Sequence, residues 1–104
     1  MTNIEFTQTD NILCFSCTGH ADFAEKGRDI VCAGISALCM ALLQRIKELQ
    51  KEKQTQITDC FISDGCLILR FTQTEKSEEC LNTLMCGFRA IAHTYPENCN
   101  IVRL

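Results

Sequence analysis

A chain of 104 residues with 46% hydrophobic and 22% charged side chains has the size and composition of one globular domain, read here as residues 1–104. Its net charge of −3 and pI near 5.3 leave no basic stripe of the kind a duplex or structured-RNA binder carries, so no direct nucleic-acid contact is expected. No apolar run approaches the ~20 residues of a membrane span. The start, MTNIEFTQTD, lacks the basic and apolar regions of a signal peptide, so a cytoplasmic protein without membrane contact is expected.

In chain order, Ile4 and Phe6 alternate with polar residues, Asp10-Asn11 supplies a turn, and residues 12–18 read as a second strand of a hairpin. Residues 19–28 are irregular, bounded by Gly19 and Gly27. A helix follows from Ile30 to about Lys53, with Val31, Ile35, Leu38, Leu42, Ile46 and Leu49 on one stripe and Asp29 as N-cap. A second hairpin comes next: ITDCFIS, the turn Asp64-Gly65, then CLILRFT. A second helix begins near Ser77, carries Leu81, Leu84, Met85, Phe88 and Ala92 on its apolar side, and stops at Pro96. The chain finishes on a short strand, NIVRL. The order ββαββαβ predicts an α/β two-layer sandwich, a mixed β-sheet packed against two helices. Strand order is not readable from this pattern.

Nine cysteines in so short a chain suggest a disulfide scaffold, a metal site or reduced thiols. Nothing in the sequence directs the chain to an oxidising compartment, and the count is odd. Cys14 and Cys17 form a Cys-x-x-Cys, but on a strand they point to opposite faces and cannot share an ion. Reduced, mostly buried thiols are expected, with no metal and no cofactor.

The segment GHADFAEKGRDIVCAGIS, residues 19–36, carries the chemistry. With Asp29 as N-cap, Cys32 is the third helical residue, where backbone N–H groups lack intrahelical partners and the helix dipole favours a thiolate. It lies ~100° around the helix from the apolar stripe and so faces a cleft, with Ser36 one turn further on and Cys39 two turns further on along the same edge. His20, across a loop that returns to the helix start, supplies the base that thiol acyl transfer requires. Free N–H groups at the helix end are candidate oxyanion donors. Taken singly these residues have plainer readings: a buried small thiol, a turn histidine, a helix cap. His93, near the end of the second helix, is explained by dipole contact and is set aside as the base.

This segment resembles the signature of the ribosomal-processing cysteine protease family (Prp, YsxB-like). Gly19, His20 and Ala21 match its first block, Gly27, Asp29 to Ala33 and Ser36 its second, and Gly87, Phe88 to Ala92 and Tyr95-Pro96 are similar to its second helix. The resemblance implies a homodimeric cysteine endopeptidase with Cys32 as nucleophile and His20 as base. Asp29 and Ser36 match positions implicated in activity, and Asp29 is either cap or orienter of His20. The loop from Ala21 to Arg28 is implied to be a flap, with Gly19 and Gly27 as hinges. The implied partner is the N-terminal extension of a bacterial large-subunit ribosomal protein. A non-catalytic binding module for the same protein is the alternative, and a redox or metal protein is a third.

Overall fold

The computed structural model describes residues 1–102. The strands are β1 Thr2–Thr9, β2 Ile12–Thr18, β3 Ile57–Ser63, β4 Cys66–Thr72 and β5 Cys99–Val102; the helices are α1 Ile30–Lys51 and α2 Glu75–Thr94. The expected ββαββαβ order is therefore observed. The strands form one mixed sheet in the order β3-β4-β2-β1-β5. Neighbours are antiparallel except for β1 and β5, which run parallel.

Register explains the core. Across β1, β2 and β4, Ile4 lies opposite Cys17 and Leu67, and Phe6 opposite Phe15 and Leu69. Because side chains alternate along a strand, these rows face one side of the sheet, where both helices cover them. Phe15 and Phe71 from the sheet and Phe88 from α2 are fully buried, and the rings of Phe15 and Phe88 stack at 5.3 Å. Each such side chain contributes about 1.5–3 kcal/mol by burial. From α1 the buried stripe is Val31, Ile35, Cys39, Leu42, Leu43, Ile46 and Leu49. By length and composition this helix would suffice to cross a membrane. The expectation that no apolar run comes near that length is corrected to this extent; here the apolar side packs on the sheet and on α2.

Element ends differ from expectation for identifiable reasons. α1 stops at Lys51 because Lys53 takes a left-handed conformation (φ 60°), and the N–H groups of Lys53 and Gln54 turn back to the carbonyls of Gln50 and Leu49. α2 starts at Glu75, two residues earlier than expected. Thr74 is its N-cap, and Ser77 closes a reciprocal box: Thr74 Oγ1 accepts from Ser77 N at 3.1 Å, and Ser77 Oγ accepts from Thr74 N at 2.8 Å. The last two residues of the expected NIVRL strand, 103 and 104, lie outside the described residues.

The thiols also require a correction. All nine are free, but only Cys17, Cys39 and Cys99 are buried. Cys60 sits on β3, an edge strand exposed along nearly its whole length, and Cys86 on the outer side of α2. Cys17 faces the core while Cys14 lies on the opposite side of β2, as the alternation of that strand requires.

Candidate active site

Cys32 sits where expected, in the first turn of α1, and is half-buried. Asp29 caps that turn through Oδ1, which accepts from Cys32 N at 2.8 Å. Its other oxygen, Oδ2, accepts from Phe23 N at 3.0 Å and Ala24 N at 3.3 Å. The Cys32 N–H, opposed in part by desolvation and helped by those of Phe23 and Ala24, holds the Asp29 carboxyl below the usual carboxylate range. Both oxygens therefore have backbone partners, and His20 is not among them. Asp29 joins the helix start to the loop. One expectation changes here. The N–H of Cys32 goes to Asp29 Oδ1 and that of Ala33 to the Asp29 carbonyl at 3.0 Å, so neither is free to meet an oxyanion in this arrangement.

His20 follows the last residues of β2 and is exposed. Its position depends on the sheet order. β2 pairs with β4 so that Thr18 lies opposite Cys66, which brings the Asp64-Gly65 turn beside the end of β2. Gly19 N donates to Gly65 O at 2.8 Å. Gly19 has φ +93°, and a Cβ there would collide with the carbonyl oxygen of Met1, so only glycine fits. The loop beyond it is anchored at several points. The Ala21 carbonyl accepts from Asn98 Nδ2 at 2.9 Å, and Phe23 packs edge-on against Tyr95 at 5.3 Å. From Ala24 to Arg28 the loop is exposed, and around Gly27 there is open space.

Two cavities meet here. One, of about 260 Å³, lies between α1 and the β3–β4 hairpin; the other, of about 640 Å³, lies beneath the loop. His20, Cys32, Ser36 and Asp64 line both. Ser36 thus joins Cys32 and His20 as expected, while Asp29, Gly27 and Ala24 border the larger cavity and Gly19 the smaller. The smaller cavity is walled by Ile35, Met40, Leu43, Ile62 and Leu67, with the thiols of Cys17 and Cys39 among them. Sequence reasoning missed Asp64 and Gly65, read only as a turn, and Met40 and Ile62, which no periodicity marks. It also placed Cys39 on the same edge of α1 as Cys32. Cys39 is instead buried, and its hydrogen bond with Cys17, together with burial, raises it above the ordinary thiol range and keeps it protonated.

A half-buried thiol at a helix start, an imidazole bordering the same hollows and an apolar cavity alongside are the parts of a thiol-dependent acyl-transfer enzyme. The chain belongs to the cysteine protease Prp family, whose model matches residues 1–100. The ribosomal processing cysteine protease Prp of Staphylococcus aureus is 34% identical over 82 residues, covering 77% of this chain and 76% of the relative. That of Bacillus subtilis is 49% identical over 35 residues, 34% of this chain and 31% of the relative. A crystal structure of the S. aureus ribosomal processing protease Prp with a covalently linked product peptide is similar at TM-score 0.84 and 27% identity, over 97% of both chains. A Streptococcus mutans protein structure is similar at TM-score 0.68 and 26% identity, covering 97% of this chain and 91% of the other.

Proposed function

We propose that this protease removes the N-terminal extension of a bacterial large-subunit ribosomal protein, with Cys32 as nucleophile and His20 as general base. The observation that carries the residue assignment is that Cys32 and His20, on different elements, border the same two cavities. The S. aureus relatives are named as ribosomal processing proteases, and one was crystallised with a product peptide covalently attached, which supports the substrate class and a covalent route.

In the first half-reaction the Cys32 thiolate attacks the scissile carbonyl carbon, and the imidazolium of His20 gives its proton to the departing amine. A thioester remains on Cys32. In the second, His20 takes a proton from water as it attacks the thioester, and the thiol is regenerated with the new carboxylate. The smaller cavity, walled by Ile35, Met40, Leu43, Ile62 and Leu67, suits an apolar side chain beside the scissile bond. Ser36, on the rim of both cavities, is placed to hydrogen-bond the peptide. The loop from Ala21 to Arg28 closes over an extended segment rather than a folded surface, which suits a terminal extension. The protein acts in the cytoplasm as a homodimer, in keeping with the family resemblance.

The test is incubation with the extended and mature forms of the cell's own ribosomal protein. The extended form is shortened and the mature form is not. Cys32→Ala abolishes cleavage while leaving circular dichroism and thermal unfolding close to wild type. Full turnover by the folded variant would end the proposal.

A further inference from the structure

Gly65 is explained as a turn residue only in part. It is the second residue of the Asp64-Gly65 connection between β3 and β4 and has φ +70°, a conformation that glycine adopts freely and asparagine tolerates. Its surroundings are stricter than its backbone. A Cβ built on Gly65 would stand 2.8 Å from His20 Nε2, 3.1 Å from Cε1 and 3.4 Å from Cδ2. The imidazole therefore lies against the glycine α-carbon with its Nε2 edge, closer than any side chain permits. The same residue's carbonyl accepts the N–H of Gly19, immediately before His20, at 2.8 Å. One residue thus fixes both the backbone that delivers the histidine and the surface on which its ring rests.

We infer that Gly65 is a positioning residue for the His20 imidazole, a role that rests on the reading of His20 as the base. The turn conformation alone would accept Asn; with the ring where it stands, only Gly fits. With any side chain at 65, the contact to Nε2 must open from 2.8 Å to the 3.4 Å of ordinary packing, and the ring is the mobile partner because it is exposed. A displacement on that scale lowers turnover by about 10-fold or more, given that ~1 Å of misplacement costs about 100-fold.

The test is a double-mutant cycle on the full chain with wild type, Gly65→Asn, His20→Ala and the double variant. The readouts are single-turnover cleavage of the extended ribosomal protein and, without substrate, alkylation of Cys32 by chloroacetamide at pH 6. Gly65→Asn is expected to lower both by about 10-fold and to add nothing in the His20→Ala background, because the two changes act through one group. Equal losses in both backgrounds would show that Gly65 serves only the fold and would overturn the inference. If His20→Ala itself left both rates unchanged, the assignment of the base would fall first. The chain has two histidines, so the ring protons of His20 can be assigned by difference and His93 serves as the control. In the unsubstituted protein, nuclear Overhauser contacts between the His20 ring and the Gly65 α-protons are expected. Their absence would overturn the inference even if Gly65→Asn failed to fold.

Discussion

Alkylation order among the thiols separates an activated Cys32 from a merely accessible one. Accessibility favours Cys60 and Cys86, which are exposed, over the half-buried Cys32. An ordinary thiol is only about 0.3% ionised at pH 6. A nucleophile that works as its thiolate at that pH gains up to about 300-fold over such a thiol from ionisation. The lower intrinsic nucleophilicity of a stabilised thiolate, with a Brønsted slope near 0.45 across ~2.5 log units, returns about 13-fold of it. With Cys32 as the acting nucleophile the expected lead is about 20-fold, enough to outweigh partial burial. At pH 9 ordinary thiols are mostly ionised and intrinsically more nucleophilic, so the order reverses and Cys60 and Cys86 lead. The assay is brief, substoichiometric labelling with iodoacetamide across a pH series, followed by peptide mapping. The reagent is small and uncharged so that the loop does not exclude it. Cys39, buried and held protonated, remains unlabelled throughout. His20→Ala removes the lead of Cys32 at pH 6 and leaves Cys60 and Cys86 unchanged. A Cys32 that trails the exposed thiols at pH 6 would refute Cys32 as the acting nucleophile.

Two further expectations concern the scaffold. Asp29 has its carboxyl held below the ordinary range, so the tether it provides is present above about pH 3.9 and is lost only as pH falls through the lowered value; hydrogen exchange at Phe23, Ala24 and Cys32 is expected to stay protected through pH 5–8 in wild type and to rise across that window in Asp29→Ala. Phe88→Ala, which leaves a void against Phe15, is expected to cost about 3–5 kcal/mol by urea unfolding, with activity per folded molecule retained.

The elements were legible because their periodicities are strong. The stripe of α1 and the alternation of β2 predict burial almost residue by residue, and Asp29 is recognisable as a cap from its place before an apolar helix. The ends were less legible where a rarer device decides them: a lysine in the left-handed conformation closing α1, and a Thr-Ser capping box opening α2. Half of the site was legible too, because Cys32 and Asp29 share one helix start. The other half was not, because it depends on strand order. Nothing local in the sequence pairs β2 with β4, yet that pairing brings Gly65 under His20 and Asp64 to the rim of both cavities. Cys39 was misplaced for a related reason: its burial follows from Cys17 on the facing sheet, which helical spacing alone does not reveal.

The two central residues are held in different ways, and this determines where function can vary without loss of fold. Cys32 is placed by a 22-residue helix anchored through seven buried side chains, so a change that moves it appreciably disturbs the core first. His20 is exposed and is placed by one hydrogen bond on each side of it, Gly19 N to the Gly65 carbonyl and Asn98 Nδ2 to the Ala21 carbonyl, and by the turn against its ring. Replacing Gly65 by Asn, which tolerates the left-handed backbone, should therefore damage chemistry more than stability. The apolar cavity divides in the same way. Ile35, Leu43 and Leu67 also belong to the core, whereas Met40 and Ile62 on its outer wall are 65% and 61% exposed. Replacing either of those two leaves the buried packing unchanged. On the proposed reading, in which a substrate side chain enters the cavity, preference for that side chain can therefore shift at Met40 and Ile62 while Cys32 and its helix stay fixed.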